Sequence, residues 1–202
     1  PGSNPKAAEM NGDLSKWTVA KVTTLRSMFY GAAKFTGTGL ASWDTTSITT
    51  LFYTFNAASE MNSDVSKWNV AKVISLQATF KSASKFAGAG LPTWDIAKVN
   101  TMVSTFFIFA TSITSCSKRR IADAWKSNAA FTATTYDTDW AADKCTIAAL
   151  TDDTFKHASW DWIQDTATAT TKWGDLGDWD VSHVKDMSHA FSKNLDVDGG
   201  PT

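Results

Sequence analysis

This 202-residue chain carries almost no net charge, only three histidines and two cysteines, and no long hydrophobic run. Its 19 basic and 20 acidic residues leave a net charge of -1, with no long run of either sign. Binding to a polyanion needs a basic face that displaces counterions, which argues against nucleic acid or an anionic membrane surface as the main partner. The longest apolar stretch, Thr101 to Ile113, is 13 residues, and a membrane-spanning helix needs about 20. The three histidines, His157, His183 and His189, lie outside any recognised ligand spacing. No nucleophile elbow, glycine-rich phosphate loop or helical His-Glu pair is present. No Asn-x-Ser/Thr acceptor occurs either, which favours an organelle lumen over a glycosylated cell surface. No signal peptide precedes Pro1, so an exported protein would be seen here in processed form or as a fragment.

Two carboxylate pairs, Asp161 with Asp165 and Asp178 with Asp180, are the nearest approach to a glycosidase dyad. At this density of surface acids, coincidence is the better reading. Asp196 and Asp198, ahead of a glycine pair, hint at calcium but lack the remaining loop ligands. The expectation is a protein that is not an enzyme and that calls for no cofactor or metal.

What the chain has is periodicity. Trp17, Trp43, Trp68 and Trp94 fall 26, 25 and 26 residues apart, and each is followed 12 residues later by Phe29, Phe55, Phe80 or Phe106. A fixed period of this length marks a repeat array, in which each unit buries its apolar face against the next. Odd units carry Asn-x-Asp where even units carry a glycine pair, Gly37 with Gly39 and Gly88 with Gly90, so the full period is a double unit of 51 residues. Within a unit the spacing Leu14-x-x-Trp17-x-Val19-x-x-Val22 suits a short strand, and Val22-x-x-Leu25-x-x-x-Phe29-x-x-Ala32 a short helix. The first part also matches the strand register of leucine-rich repeats, with Trp in the central Leu slot. Val22, Ile48, Val73 and Val99 occupy the slot where Asn usually forms a ladder, which leaves turn carbonyls in need of other partners.

These units resemble the repeats of BspA-like surface proteins and mycoplasma-type lipoproteins, which run roughly F-N-x-D-(I/L)-S-x-W-(D/N)-V-S-x-V-T-x-M-x-x-M-F. Met61-NSDVSKWNVAKV and Trp179-DVSHVKDMSHAF carry the resemblance, which extends over about 10 to 110 and 173 to 192. It implies a non-enzymatic extracytosolic repeat protein, used for surface attachment in bacteria and abundant in eukaryotic algae. The Ala/Thr-rich composition and the Cys-bounded insert look more like the algal branch.

The expected fold class is therefore α/β: a short leucine-rich-repeat-like solenoid, strand plus helical turn per unit, with a disulfide-bracketed helical insert. The segments read as an N-terminal extension (1-9), a four-repeat array (10-110), a Cys-bracketed helical cap (111-147), and a helix with one further repeat and a polar tail (148-202). Cys116 and Cys145 bracket the segment that breaks the repeat and read as a disulfide, which would contribute roughly 3.6 kcal/mol by closing a loop of about 30 residues. Two buried thiols or a metal pair are the alternatives, the latter short of suitably spaced His ligands. Inside the bracket, Ser117 to Phe131 has a helical pattern and Tyr136 to Cys145 reads as loop. Phe107 and Ile108 are apolar where a cover over the array would sit. Thr151 reads as the N-cap of a helix with Phe155, Ala158, Trp162 and Ile163 on one face.

Trp17, Trp43, Trp68, Trp94 and Trp179, with the Phe column, make the expected core, and carbohydrate stacking is the lesser reading of the indoles. The residues flanking each Trp point outward on the strand register. Lys16, Ser42, Lys67 and Thr93 form one column and Thr18, Asp44, Asn69 and Asp95 the next, either a partner-binding face or a solvated one. Tyr30, Phe52 and Tyr53 are aromatic where sister repeats are polar or small, which suits a protein contact. The expected function is a non-catalytic structural or docking subunit of a larger extracytosolic assembly, with protein partners and no membrane span; the algal resemblance implies a lumenal subunit peripheral to a photosynthetic membrane complex. The alternative is a cell-surface adhesion module binding glycans or host proteins. The compartment is oxidising: an organelle lumen such as the thylakoid lumen, or the secreted and cell-surface space.

Overall fold

The computed structural model describes residues 5-106, 112-142, 149-166, 169, 173-174 and 176-192. Phe107, Ile108, Cys145, Asp196 and Asp198 lie outside them, as does the side chain of Asp178. The chain forms two compact units, Pro1–Lys144 and Cys145–Thr202.

The strand-plus-helix solenoid is corrected by the structure. Among the described residues there is no β-strand or sheet, and no helix occurs within residues 10 to 106 except two short 3-10 turns, Leu40–Ser42 and Leu91–Thr93. Each repeat is a coil of successive tight turns. Trp17, Trp43, Trp68 and Trp94 each donate their backbone N–H to the carbonyl three residues back, at Leu14, Leu40, Val65 and Leu91. Val22, Ile48, Val73 and Val99 do the same to Val19, Thr45, Val70 and Ile96. The three-residue spacing that resembles a strand register is a turn spacing.

Pairing between coils is parallel but cannot extend into strands. Isolated bridges join Thr24 to Thr50, Thr50 to Ser75 and Ser75 to Thr101. Beyond each bridge, alternate amides reach the next coil: Leu25 to Thr50, Ser27 to Phe52 and Phe29 to Thr54, at 3.3, 2.9 and 2.9 Å. The intervening amides turn back on their own coil, as Met28 does to Leu25 and Tyr30 to Ser27. This alternation requires left-handed residues. Ser27, Tyr53, Ala78 and Ser104 occupy one such column and Gly31, Ala57 and Ser82 the next. Extended backbone excludes positive φ, so a continuous strand cannot form.

The core is columnar. Trp43, Trp68 and Trp94 are buried, their rings stacked at 6.3 to 6.4 Å and within 3° of parallel. Phe29, Phe55, Phe80 and Phe106 stack beside them at 5.4 to 5.7 Å. Such offset piles bury large apolar area while avoiding eclipsed rings. Trp17 departs from the expected core. It stacks on Trp43 on one side but remains 52% exposed, with no second indole stacked on it among the described residues.

Polar groups inside the pile are satisfied by side chains. The indole Nε1 of Trp43, Trp68 and Trp94 donates to the carbonyls of Leu14, Leu40 and Val65 in the preceding coil. Thr54, Thr79 and Thr105, all buried, each donate their hydroxyl toward two carbonyls, one in their own coil and one in the preceding coil. These donors serve the carbonyls left without an Asn ladder.

The double period has a steric origin. Asn11 and Asn62 of the odd coils accept from the backbone of Thr36 and Ala87 in the coil that follows. Gly39 and Gly90 of the even coils lie so close to the preceding coil that a Cβ would fall 2.2 Å from the Ser15 nitrogen or 2.1 Å from that of Ser66, and both have positive φ. Only glycine meets both conditions.

Five α-helices lie among the described residues: α1 (Pro5–Ala8), α2 (Ser115–Trp125), α3 (Ala129–Thr132), α4 (Thr135–Ala141) and α5 (Asp152–Gln164). The fourth coil is closed by α2 to α4. Trp125 is fully buried and extends both columns, stacking on Trp94 at 6.5 Å and on Phe106 at 6.2 Å. Asn128 takes the place of a next coil's backbone. Its amide donates to the carbonyls of Ile96 and Val99, and its oxygen accepts from Ala130 and Phe131. The segment expected as loop after Tyr136 begins as helix α4, held because Tyr136 and Trp140 pack on Phe106 and the Tyr136 hydroxyl bonds its backbone.

Cys116 is buried in the first turn of α2 and is disulfide-bonded, while Cys145, expected as its partner, lies outside the described residues. The cap is also held by the packing of Trp125, Phe131 and Trp140 and by the bonds of Asn128.

In the second unit, α5 is capped by Thr151 and Thr154 in a reciprocal capping box. Phe155 and Trp162 meet Trp179 edge-on at 6.0 Å, and Leu150 donates to the carbonyl of Asp180. Asp152 accepts from the amides of Lys185 and Asp186. The last repeat is thus covered on the side that a preceding coil would occupy.

Candidate docking surface

The two columns flanking the tryptophans are exposed, and their members do different work. Asp44, Asn69 and Asp95 accept from the amides two residues on, at Thr46, Ala71 and Ala97, and so close the turns of coils two, three and four. Asp180 does the same to Ser182 in the last repeat. Such Asx turns are local scaffolding. The hydroxyl and amide of Thr46 hold the Asp44 carboxyl below the usual carboxylate range, and Ser182 does likewise for Asp180. Thr18 occupies this column in the first coil.

In the other column, Ser42 and Thr93 donate to the carbonyls of Gly39 and Gly90 at 2.8 Å. Lys16 and Lys67 are exposed. The coils place these eight residues side by side, with much of the polar chemistry already committed to turns.

Tyr30, Phe52 and Tyr53 are brought together. Tyr53 lies 4.4 Å from Phe52 and 6.2 Å from Tyr30, ring centre to ring centre. The guanidinium of Arg26 sits 4.4 Å above the Phe52 ring, a cation–π arrangement. Tyr30 is exposed, and Phe52 and Tyr53 are partly so. They lie on the bonded edge where coil one meets coil two, since the Phe52 carbonyl accepts from Ser27 and Tyr53 donates to Gln77. A rigid backbone therefore presents an aromatic and basic cluster of the kind enriched in protein interfaces.

A groove of about 670 Å³ lies between coil four and the cap, lined by Trp94, Asp95, Val99, Asn100, Ser127 and Asn128 among others. Its polar lining is largely engaged: Asp95 closes a turn, and the whole Asn128 amide bonds to backbone. Among the described residues no group of three or more His, Cys, Asp and Glu side chains is placed to hold a metal. The Asp161 carboxylate accepts from the indole of Trp173 at 2.6 Å, which assigns it a structural partner. No helix among the described residues is long and apolar enough to cross a membrane.

Asn128 and the column of Thr54, Thr79 and Thr105 were not legible as special from composition. Yet the dipeptide Thr-Phe recurs at 54-55, 79-80 and 105-106 and is a usable signal.

A family model described as a Mycoplasma protein of unknown function, DUF285, matches residues 3–118 and 161–199, well over half of the chain. The unmatched residues 119 to 160 contain most of α2, all of α3 and α4, and the start of α5. No curated protein and no solved structure matches the chain.

Proposed function

The chain belongs to this Mycoplasma family of unknown function, and from that premise we propose that it is a non-catalytic interaction scaffold, a structural or docking subunit of a larger extracytosolic assembly. The observation that carries the reading is the cluster of Arg26, Tyr30, Phe52 and Tyr53. Sister coils place Gln77, Lys81, Asn56 or Ala78 at the corresponding positions, and the stack would fold with such residues throughout. Aromatic side chains held at a rigid edge stabilise a protein contact at low entropic cost.

The finer reading follows the resemblance to BspA-like repeats and their algal branch. It places the assembly in an oxidising lumen, with a photosynthetic membrane complex as the partner class. The Ala/Thr-rich composition and the Cys-bounded insert are what motivate it.

Gentle native purification followed by mass spectrometry tests the proposal, with the double variant Phe52→Ser, Tyr53→Ser as control. A stoichiometric complex that survives purification and is lost in the variant, at unchanged thermal stability, is the expected result. Recovery of the protein alone, with reversible glycan binding, would replace docking by adhesion.

A further inference from the structure

Near-neutral composition hides a division of charge within the coil array. The segments 21-34, 47-59, 72-85 and 98-106, which carry the alternating bonds from coil to coil, contain seven basic residues and not one acid. The segments that hold the tryptophans, 9-20, 35-46, 60-71 and 86-97, contain six acids and two lysines. We propose that the acid-free segments form a docking surface for an acidic protein segment that carries apolar side chains of its own. This rests on the docking role argued above, because Tyr30, Phe52 and Tyr53 are the centre of that surface.

The exclusion of acids is not a demand of the fold. Beside the tryptophans, the carboxylates of Asp13, Asp44, Asp64 and Asp95 accept from amides two residues on and so close turns. In the acid-free segments the same bond is made by uncharged hydroxyls. Thr24, Thr50 and Ser75 accept from the amides of Arg26, Phe52 and Gln77 at 3.1 to 3.3 Å. Aspartate closes such a turn more strongly than threonine or serine does, so turn chemistry alone would favour it at these three positions. What an aspartate there would change is the charge of the surface.

The arrangement has the anatomy of a protein interface. Its middle is apolar: Tyr30 and Ile74 are 53% and 49% exposed, and Phe52 and Tyr53 are partly exposed. Arg26 lies over the Phe52 ring within it. Lys21, Lys72 and Lys98 precede the bonded stretch of coils one, three and four, while Lys34 and Lys85 end that of coils one and three, and all five are exposed. Among the described residues Lys21, Lys34, Lys72 and Lys98 make no ion pair, and Lys85 pairs with Glu60 at the border. An apolar centre inside a charged rim suits a protein partner, whereas nucleic acid or a sulfated glycan is held by cations along its whole track. Lys72 and Lys98 stand on neighbouring coils, about 4.8 Å apart in parallel pairing. That is within the Debye length of about 8 Å at physiological salt, so the two charges act on a partner together.

Fluorescence anisotropy with the full chain tests this, using three labelled probes: a short peptide of Glu, Leu and Phe, the same peptide with Gln for each Glu, and a heparin fragment. The acidic peptide should bind about tenfold more tightly than its Gln counterpart and lose most of that advantage between about 50 and about 500 mM salt. Lys72→Glu with Lys98→Glu should weaken it about tenfold. Lys126→Glu with Lys185→Glu, the same change in net charge at exposed sites outside the array, should leave it unchanged. Lys72→Gln with Lys98→Gln repeats the test if the reversed pair loses its circular dichroism. No binding of the acidic peptide, equal binding of the two peptides, tighter binding of heparin, or an equal response to both lysine pairs would each overturn the proposal. Failure of the docking role reads differently, since Phe52→Ser with Tyr53→Ser would then leave the natively purified complex intact. A complex lost in that variant but held after Lys72→Glu with Lys98→Glu overturns only the acidic class of partner.

Discussion

Trp68 shows what a single position in the stack does. Its indole lies between Trp43 and Trp94, at 6.3 and 6.4 Å, and its Nε1 reaches the Leu40 carbonyl. Replacement by alanine opens a cavity across two junctions and orphans a buried carbonyl contact, at an expected cost of about 3 to 5 kcal/mol. Trp17 has one stacking neighbour and an open face, so Trp17→Ala should cost about 1 kcal/mol or less. Urea unfolding of the two variants checks the difference, and equal losses at both positions would sink the columnar core. The Trp and Phe columns were legible in the sequence because identical side chains recur at a fixed spacing. The exposure of Trp17 was not, since it depends on what packs on each side of the ring, a property of the stack and not of the residue.

At the scale of the element, the turn-built coil replaces the strand. Apolar spacing alone does not separate the two, because residues three apart can face one way in a tight turn as well as in an irregular strand. The difference lies in backbone sign, and only Gly31 among its column advertises positive φ. Tyr53, Ala57, Ala78 and Ser82 adopt it without any local signature, forced there by bonds to neighbouring coils. The left-handed conformation costs an alanine roughly 1 to 2 kcal/mol, so Ala57→Gly should raise stability by about 1 kcal/mol. Gly90→Ala should lower it by about 3 kcal/mol, because its Cβ would meet the Ser66 backbone. Thermal melts of the pair read both signs; a stabilising Gly90→Ala would contradict the close approach of the coils. The cap follows a different logic. Its helical pattern was visible, but the shift of Tyr136 to Ala141 from loop to helix came from packing on Phe106.

Over the whole molecule, carboxylates that accept from backbone amides link stability to pH. Asp13 is held low by the amide and hydroxyl of Ser15, Asp44 by Thr46, Asp152 by the amides of Asp186 and Lys185, and Asp180 by Ser182. Asp186 is lowered to about 2 by the hydroxyl and amide of Ser188, with Lys156 adding to it. A group whose pKa is depressed on folding contributes stability that is fully present above its unfolded value and is lost as pH falls through its folded value. Stability should therefore be level above pH 4, the region of the ordinary Asp value of 3.8, and decline toward pH 2. Circular dichroism melts across that range test this, and Asp186→Asn should flatten the slope. A decline that sets in well above pH 5 would point to other groups.

From the sequence alone follow the repeat, its 51-residue double period, the aromatic identity of the core and the absence of a membrane-length apolar helix, because each is a matter of which side chains recur and how far apart. Only the tertiary structure decides that the coils are turns, that Asp44, Asn69 and Asp95 close them, and that Thr hydroxyls, indoles and Asn128 answer the inner carbonyls. Those outcomes depend on backbone bonds between coils distant in the chain, and a backbone amide or carbonyl carries no mark in the sequence of where its partner lies.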